Sequence, residues 1–305
     1  MSEYAPARLM PVKALPAGGD WLYEPKWDGY RGLLVNSASG RGSLWSRNDK
    51  DLGRWFPELV ELAGRLPRGT VLDGEIVMPT SSGVSFIALQ RRLASGGRDS
   101  PVAFIAFDVL RVGDDARHEK LSERRERLER LVAELADSSL QLISQTDDRE
   151  AAAAWLDDNL SISGIEGVVA KLDEPYPKPA TKRWWKVKRV STMEFTVRGF
   201  IPEGDSMRLV LSGDDLGSKV VGTTYPIAGI DLAPLERLVP RSLPAAHRMW
   251  APFEDGRRDW YELPSGSTLV AEVVVTTLDF GLLRQTARFL RRRWPSLSGP
   301  VIARS

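Results

Sequence analysis

Between residues 56 and 66 the apolar side chains fall at Phe56, Leu59, Val60, Leu62, Ala63 and Leu66, the spacing of one helical face. A second stripe, Leu121, Leu128, Leu131, Val132 and Leu135, predicts a helix over Leu121–Leu135 with Glu and Arg filling the gaps. Ser122 stands where an N-cap is wanted, and Glu123 and Glu126 sit near the positive end of the helix dipole. Shorter amphipathic stretches predict helices over Phe86–Leu93 and Ala151–Leu160. Strand patterns lie between them. Asp20–Val35 alternates enough for one or two strands around Lys26, and Gly69–Val77 reads as a turn entering a strand. Val102–Leu110, Gly167–Lys171 and Trp184–Val187 read as further strands.

The pattern changes after about Val190. Glu194–Phe200, Met207–Leu211, Lys219–Thr224 and Thr268–Thr277 are short β-rich runs. Turn residues separate them at Pro202-Glu203-Gly204-Asp205, Ser212-Gly213-Asp214-Asp215 and Pro264-Ser265-Gly266. Such spacing suggests a small barrel or sandwich, with Leu232–Val239 as a helix on it and the domain boundary between Arg189 and Thr192. A length of 305 residues suits one large or two modest domains.

Composition narrows the class. The apolar fraction of 42% supports real cores, and no apolar run approaches a membrane span. Cysteine is absent, which excludes a disulfide framework, a thiolate zinc site and a cysteine nucleophile. The start, Met1-Ser2-Glu3-Tyr4, lacks a secretory layout, so cytoplasm is the expectation. Net charge is only +1, but it is unevenly spread. Lys178, Lys182, Arg183, Lys186, Lys188 and Arg189 form one basic stretch; Arg284, Arg288, Arg291, Arg292, Arg293 and Arg304 form another. Local positive faces on a near-neutral chain suit a phosphate-bearing partner.

The residues that suggest chemistry lie in a fixed order. Lys26 sits in Glu24-Pro25-Lys26-Trp27-Asp28-Gly29-Tyr30-Arg31; Ser46-Arg47-Asn48, Asp73-Gly74-Glu75 and Phe107-Asp108 follow. Glu166-Gly167-Val168-Val169-Ala170-Lys171 and Trp184-Trp185-Lys186-Val187-Lys188 come next. An amine can displace pyrophosphate from a nucleotide only when partly deprotonated and when other cations hold the phosphate. In an extended chain Lys186 and Lys188 share a face, as do Asp73 and Glu75. Glu166 and Lys171 are five apart, so one must lie past a strand end or a bulge to reach the same site. Gly29 is expected to permit a close backbone approach or an unusual φ. Trp184 and Trp185 read as packing residues.

Taken together, from Glu24 to about Arg293, these motifs resemble those of ATP-dependent DNA ligases, within the covalent nucleotidyltransferase superfamily. The likeness is strongest to small bacterial repair ligases, and residues 1–25 leave no room for a large N-terminal DNA-binding domain. The resemblance implies an α+β fold. Residues 1–189 would be a nucleotidyltransferase (adenylation) domain of antiparallel sheets with flanking helices; residues 190–305 would be an OB-fold β-barrel. It implies ATP as cofactor, with AMP carried covalently on Lys26, and Mg²⁺ (or Mn²⁺) held by Glu75 and Glu166. A free lysine, with a pKa of about 10.4, is nearly always charged; Arg31, Lys171, Lys186, Lys188 and a metal ion are expected to favour the neutral amine. Glu24 would lie near the adenine and Phe107 would stack on it. Arg31 and Arg47 would contact sugar or phosphates, and Glu75 the ribose or metal. Lys171, Lys186 and Lys188 would act with Lys26 at the α-phosphate. Arg293, or else Arg291, would orient pyrophosphate, although Trp294-Pro295 stands where the family has an acid.

The implied reaction moves AMP from ATP to Lys26, then to a 5′-phosphate at a nick, where the 3′-hydroxyl expels it. The expected partner is nicked double-stranded DNA, with a repair polymerase or end-binding protein as further partners. The expected protein is a monomer, cytoplasmic and nucleoid-associated, with no membrane contact. An RNA ligase or capping-type transferase would use the same Lys26 chemistry, and a catalytically silent break-binding module would keep only the fold.

Overall fold

The computed structural model describes residues 4–81, 83–95, 100–157, 164–212, 220–228, 243–244, 249–250, 257–264, 269–275, 278–279, 282–283 and 287–293. The chain divides into two compact units, Met1–Arg189 and Val190–Ser305. The predicted helix Leu232–Val239, the end of the predicted helix at 158–160, the turn residues 213–215 and 265–266, and Arg284 and Arg304 lie outside the described residues. So do Trp294-Pro295 and the predicted strand ends at Lys219, Thr268 and Thr276-Thr277.

The first unit is α+β. Its strands are β1 (Leu9–Pro11), β2 (Trp21–Trp27), β3 (Tyr30–Asn36), β4 (Gly42–Ser46), β5 (Thr70–Val77), β6 (Pro79–Thr80) and β7 (Gly83–Val84). Then come β8 (Ala103–Val112), β9 (Asp114–Asp115), β10 (Leu140–Leu142), β11 (Ile165–Leu172) and β12 (Trp184–Lys188). The helices are α1 (Pro57–Arg65), α2 (Phe86–Ser95), α3 (Leu121–Leu135) and α4 (Arg149–Ala154). One sheet runs β1-β12-β11-β2, and a second runs β10-β8-β5-β3-β4 with β9 beside β8. Neighbours are antiparallel except the edge pairs β1–β12 and β10–β8.

Packing explains the elements. Strand β3 carries Leu33-Leu34-Val35 without alternation because both its faces are covered. Leu34 joins Leu44, Leu59, Leu62, Leu72 and Leu128 in the core that includes α1 and α3. Leu33 and Val35 join Val71, Leu110, Val169 and Trp184 between the two sheets. Helix α1 starts on Pro57, whose missing N–H costs nothing in the first turn, and buries Leu59, Leu62 and Ala63.

Three local expectations change. Helix α3 is not capped by Ser122. Lys120 precedes the helix, its N–H donating to the Glu123 carboxylate at 2.8 Å, and Asp173 accepts from the Ser122 N–H at 2.8 Å. A residue 51 positions away thus does the work that was assigned to a local side chain. The α3 stripe also includes buried Arg124. Helix α4 begins at Arg149 rather than Ala151, because Asp148 accepts from the N–H groups of Glu150 (2.8 Å) and Ala151 (3.3 Å), and it ends at Ala154.

In the second unit β13 (Ser191–Glu203) forms a hairpin with β14 (Ser206–Ser212) across Gly204 (φ 58°), and β14 pairs with β15 (Val220–Thr223). Val270–Val275 pairs with the first half of β13, and Arg288–Arg293 pairs with Val270–Val275. Phe195, Val197, Leu209, Leu211, Val221 and Val273 form the core. Among the described residues this sheet does not close into a barrel. Among them, no helix is long and apolar enough to cross a membrane.

Candidate active site

Strands β2, β11 and β12 place their basic and acidic residues on one face by simple alternation. In β2 the face carries Glu24 and Lys26; in β11, Gly167, Val169 and Lys171; in β12, Trp184, Lys186 and Lys188. Register aligns them across the sheet: Lys26, Gly167 and Lys188 form one row, and Glu24, Val169 and Lys186 the next. The ladder slips between Ile165 and Gly167. This bulge frees Glu166 from the alternation and brings its carboxylate onto the lysine face, one of the two routes that the five-residue spacing required. Lys26 Nζ donates to Glu166 Oε1, and Lys188 Nζ lies 3.4 Å from Glu166 Oε2.

Opposite this face lies the second sheet, contributing Arg31 from β3, Glu75 from β5 and Phe107 from β8. Between them is a cleft with Glu24, Lys26, Arg31, Glu75, Phe107 and Lys171 among its lining residues. Trp184 also lines it while packing in the core between the two sheets. Leu9, Trp27, Ile143 and Val169 add apolar wall. The cleft has the mixed apolar and charged lining of small-molecule sites.

Gly29 turns the chain from β2 to β3. A Cβ there would lie 2.2 Å from the Ile76 carbonyl oxygen and 2.9 Å from Glu75 Cγ, so close approach, not an unusual φ, excludes a side chain.

The charges divide into three groups. In the first, Glu24 is held on both oxygens: Lys171 Nζ is 2.7 Å from Oε2, and Gln145 Nε2 donates to Oε1 at 2.8 Å. Burial raises the Glu24 pKa, and the Lys171 charge and these hydrogen bonds oppose that rise. Lys171 is nearly inaccessible; its ammonium also donates to the Phe107 carbonyl at 3.1 Å and sits 4.1 Å from the Trp184 ring centre. Lys171, expected at the α-phosphate, here donates to Glu24 and to the Phe107 carbonyl and lines the cleft two pleats along β11 from Gly167.

In the second group, Arg31 was expected to offer its planar fork to a ligand. That fork instead clasps Asp73, Nε to Oδ1 at 2.9 Å and Nη2 to Oδ2 at 2.6 Å. Burial opposes the charge most strongly, but Asp73, Tyr176 and Glu75 together raise the Arg31 pKa. Asp73 and Glu75 do share a face; Asp73 serves Arg31, and Glu75 faces the cleft.

In the third group, burial would raise the Glu166 carboxyl, yet Lys26 and Lys188 hold it below its ordinary value. Burial, aided by the charges of Glu166 and Asp73 and opposed by Lys26 and Arg31, pushes Glu75 up to about 7. Lys186 is lowered by burial and by the charges of Lys26 and Lys188, with Arg47 adding to the effect. Arg47 itself follows β4, is exposed, and has no ion-pair partner among the described residues. Cations thus crowd around Lys186, while Lys26 contacts a carboxylate. Phe107 lies edge-on to Trp184, with ring centres 6.1 Å apart.

Arg293 ends the strand Arg288–Arg293, its backbone opposite Val270; its side chain lies outside the described residues. Sequence reasoning missed Gln145, Tyr176 and the β1 residue Leu9. Gln145 and Tyr176 lie in irregular segments and Leu9 in a three-residue strand, none with a periodic signal.

Comparison with known proteins now adds to the geometry. Residues 10–188 match the family described as the ATP dependent DNA ligase domain. The chain is 38% identical over 222 residues to DNA ligase C2 of Mycolicibacterium smegmatis, covering 69% of this chain and 59% of that protein. It is 34% identical over 235 residues to DNA ligase C of Mycobacterium tuberculosis, covering 73% and 63%. The chain thus spans about three-fifths of the length of these curated relatives. Among solved structures, a mycobacterial DNA ligase D complexed with ATP and MES superposes with a TM-score of 0.54 at 32% identity, covering 93% of this chain and 94% of that one.

Proposed function

This chain belongs to the ATP-dependent DNA ligase domain family, and from that premise we propose that it seals nicks in duplex DNA during repair, using ATP and an AMP carried on Lys26. The observation that carries this reading is the Lys26–Gly167–Lys188 row, which sets an amine at the edge of the cleft with a second lysine one glycine away. A Cβ at 167 would lie 2.2 Å from the Val187 carbonyl oxygen and 3.0 Å from Lys188 Cα, so β12 can approach this closely only against glycine.

In the first step the Lys26 nitrogen attacks the α-phosphorus of ATP; the N–P bond forms as the bond to pyrophosphate breaks. The ammonium must first lose its proton, and Glu166, in contact with Nζ, is the base at hand. Lys186, Lys188 and Arg47 balance the growing negative charge on the phosphate. The apolar floor made by Phe107 and Trp184 accepts the adenine, with Glu24 fixed beneath it. AMP then passes to the 5′-phosphate of a nick, and attack by the 3′-hydroxyl releases it.

Glu75 and Glu166 fit a hard divalent cation. Among the described residues no group of three or more candidate ligands gathers, and Mg²⁺ is commonly held by one or two carboxylates plus substrate phosphates. When bound, Mg²⁺ or Mn²⁺ supplies charge neutralisation at the transferring phosphate.

The second unit, residues 190–305, is assigned an OB-fold role on DNA, with residues 1–189 as the adenylation domain; the long β13 with its bulge between Val197 and Gly199 supports this. Arg293 keeps its proposed part in orienting pyrophosphate, by resemblance. The repair setting, monomeric state, cytoplasmic location on the nucleoid and a polymerase or end-binding partner follow the same resemblance.

The test uses ATP labelled in its α-phosphate. Incubation with Mg²⁺ is expected to give a protein adduct stable on a denaturing gel, mapped to the Lys26 peptide, and chase with nicked duplex is expected to convert it to sealed DNA. Absence of any adduct, or sealing confined to RNA ends, would remove the proposal.

Glu75 adds a pH dependence. Below about pH 7 its carboxyl carries a proton, and a cation prefers the ionised form. Metal binding therefore expels that proton, so the half-saturating Mg²⁺ concentration for adduct formation should fall as pH rises towards 7, by up to about tenfold per unit, and level off above it. In Glu75→Gln that slope should vanish; an unchanged slope would assign it to another group.

A further inference from the structure

Tyr176 lies in Glu174-Pro175-Tyr176-Pro177, in the loop after β11, and is buried. Its phenol donates to Asp73 Oδ2 at 2.6 Å and accepts from the Ala7 N–H at 2.9 Å and from Arg31 Nη2 at 3.2 Å. A phenol offers one donor and two acceptor positions, so every one is in use. Ala7 is gripped from the other side as well, its carbonyl accepting from Arg31 Nη1 at 2.5 Å. Four segments that are remote in sequence therefore close one ring of hydrogen bonds around the Arg31 guanidinium.

That ring commits four of the five guanidinium N–H groups: Nε and one Nη2 proton to Asp73, the other Nη2 proton to Tyr176, and one Nη1 proton to Ala7. One Nη1 proton remains for a ligand. The guanidinium carbon lies 5.3 Å from the Phe107 ring centre and 5.6 Å from that of Trp184, and Tyr176 is edge-on to Trp184 at 5.3 Å. A group with a single N–H to offer, set between the two rings of the cleft, acts only if its angle is fixed.

We propose that Tyr176 is a positioning residue that fixes the Arg31 guanidinium towards the nucleotide through its hydroxyl. Burial and the charge of Asp73 raise the phenol pKa well above its ordinary value, so the O–H stays a donor throughout the neutral range. Asp73 alone holds one edge of the guanidinium; the hydroxyl holds the remaining Nη2 proton and, through Ala7, the acceptor for Nη1. The ring packing against Trp184 would survive in phenylalanine, which separates the hydroxyl from the bulk of the side chain.

The inference rests on the Lys26 adenylation proposed above, and the experiment keeps the two apart. Single-turnover adduct formation is measured for the wild type, Tyr176→Phe, Arg31→Lys and the double variant, with melting temperatures alongside. Tyr176→Phe is expected to slow adduct formation by roughly 10- to 100-fold, the range for losing a hydrogen bond to a charged group that must be placed accurately. In the Arg31→Lys background the same change should alter the rate less than about twofold, because there is no guanidinium left to orient. Where turnover of the Arg31→Lys protein is too slow to follow, the same comparison is read from the affinity for α,β-methylene-ATP, again with no added loss in the double variant. A full multiplicative loss in both backgrounds, or wild-type rates for Tyr176→Phe, overturns the positioning role. A wild type that forms no adduct overturns the earlier proposal instead.

Discussion

Lys26→Ala should form no covalent adduct with labelled ATP, and its sealing of an ordinary nick should fall by at least about 10⁴-fold, the scale for removing a covalent nucleophile. Lys171 cannot take its place, because it is buried against Glu24. Only the steps that need the amine should be lost. A nick supplied with AMP already joined to its 5′-phosphate bypasses them, and the variant should still seal it at a measurable rate. The fold should survive, since Glu166 keeps Lys188 when Lys26 is removed. Labelling of Lys26→Ala at the wild-type rate would move the nucleophile elsewhere. Loss of sealing on the pre-adenylated nick together with a collapsed melting temperature would mean that the substitution had damaged the fold.

Arg124→Ala should be the most destabilising single substitution argued from this structure. Arg124 and Asp108 pair at 2.7 and 2.9 Å with side chains 1% and 0% exposed. Arg124 also donates to the carbonyls of Glu119 (2.6 Å) and Glu174 (3.1 Å), tying α3 to β8 and to the loop that carries Tyr176. Truncating one partner of a buried pair leaves the other charge without compensation, at a cost of about 3–5 kcal/mol. For a unit of this size that is a fall in melting temperature of roughly 10 °C. The double substitution Asp108→Leu with Arg124→Met should recover part of the loss, because it removes the stranded carboxylate. A melting temperature within about 2 °C of wild type for Arg124→Ala would show that the pair contributes little.

How far these features could be read beforehand depended on how local they are. The stripe of α3 was visible, yet its gap between Leu121 and Leu128 is where Arg124 turns inward. An arginine is read as solvated unless its partner is known, and Asp108 lies 16 residues earlier on another element. The same limit applies to Arg31, whose fork was assigned to a ligand and is held by Asp73, 42 residues away. Strand β1 was missed because three residues carry no period; it exists because the β12 edge offers it a ladder.

The sequence by itself determined that strand structure surrounds Lys26, that Lys186 and Lys188 share a face, and that α1 and α3 are helices. Each of these follows from spacing along a few neighbouring residues, and the order of the motifs was enough to point to the family. Tertiary structure alone decided which charges meet: Glu166 with Lys26, 140 residues apart, and Lys171 with Glu24 rather than with the other lysines. Alternation places a side chain on a face, whereas strand register, a single bulge at Glu166 and the exclusion of water decide its partner and the cost of its charge.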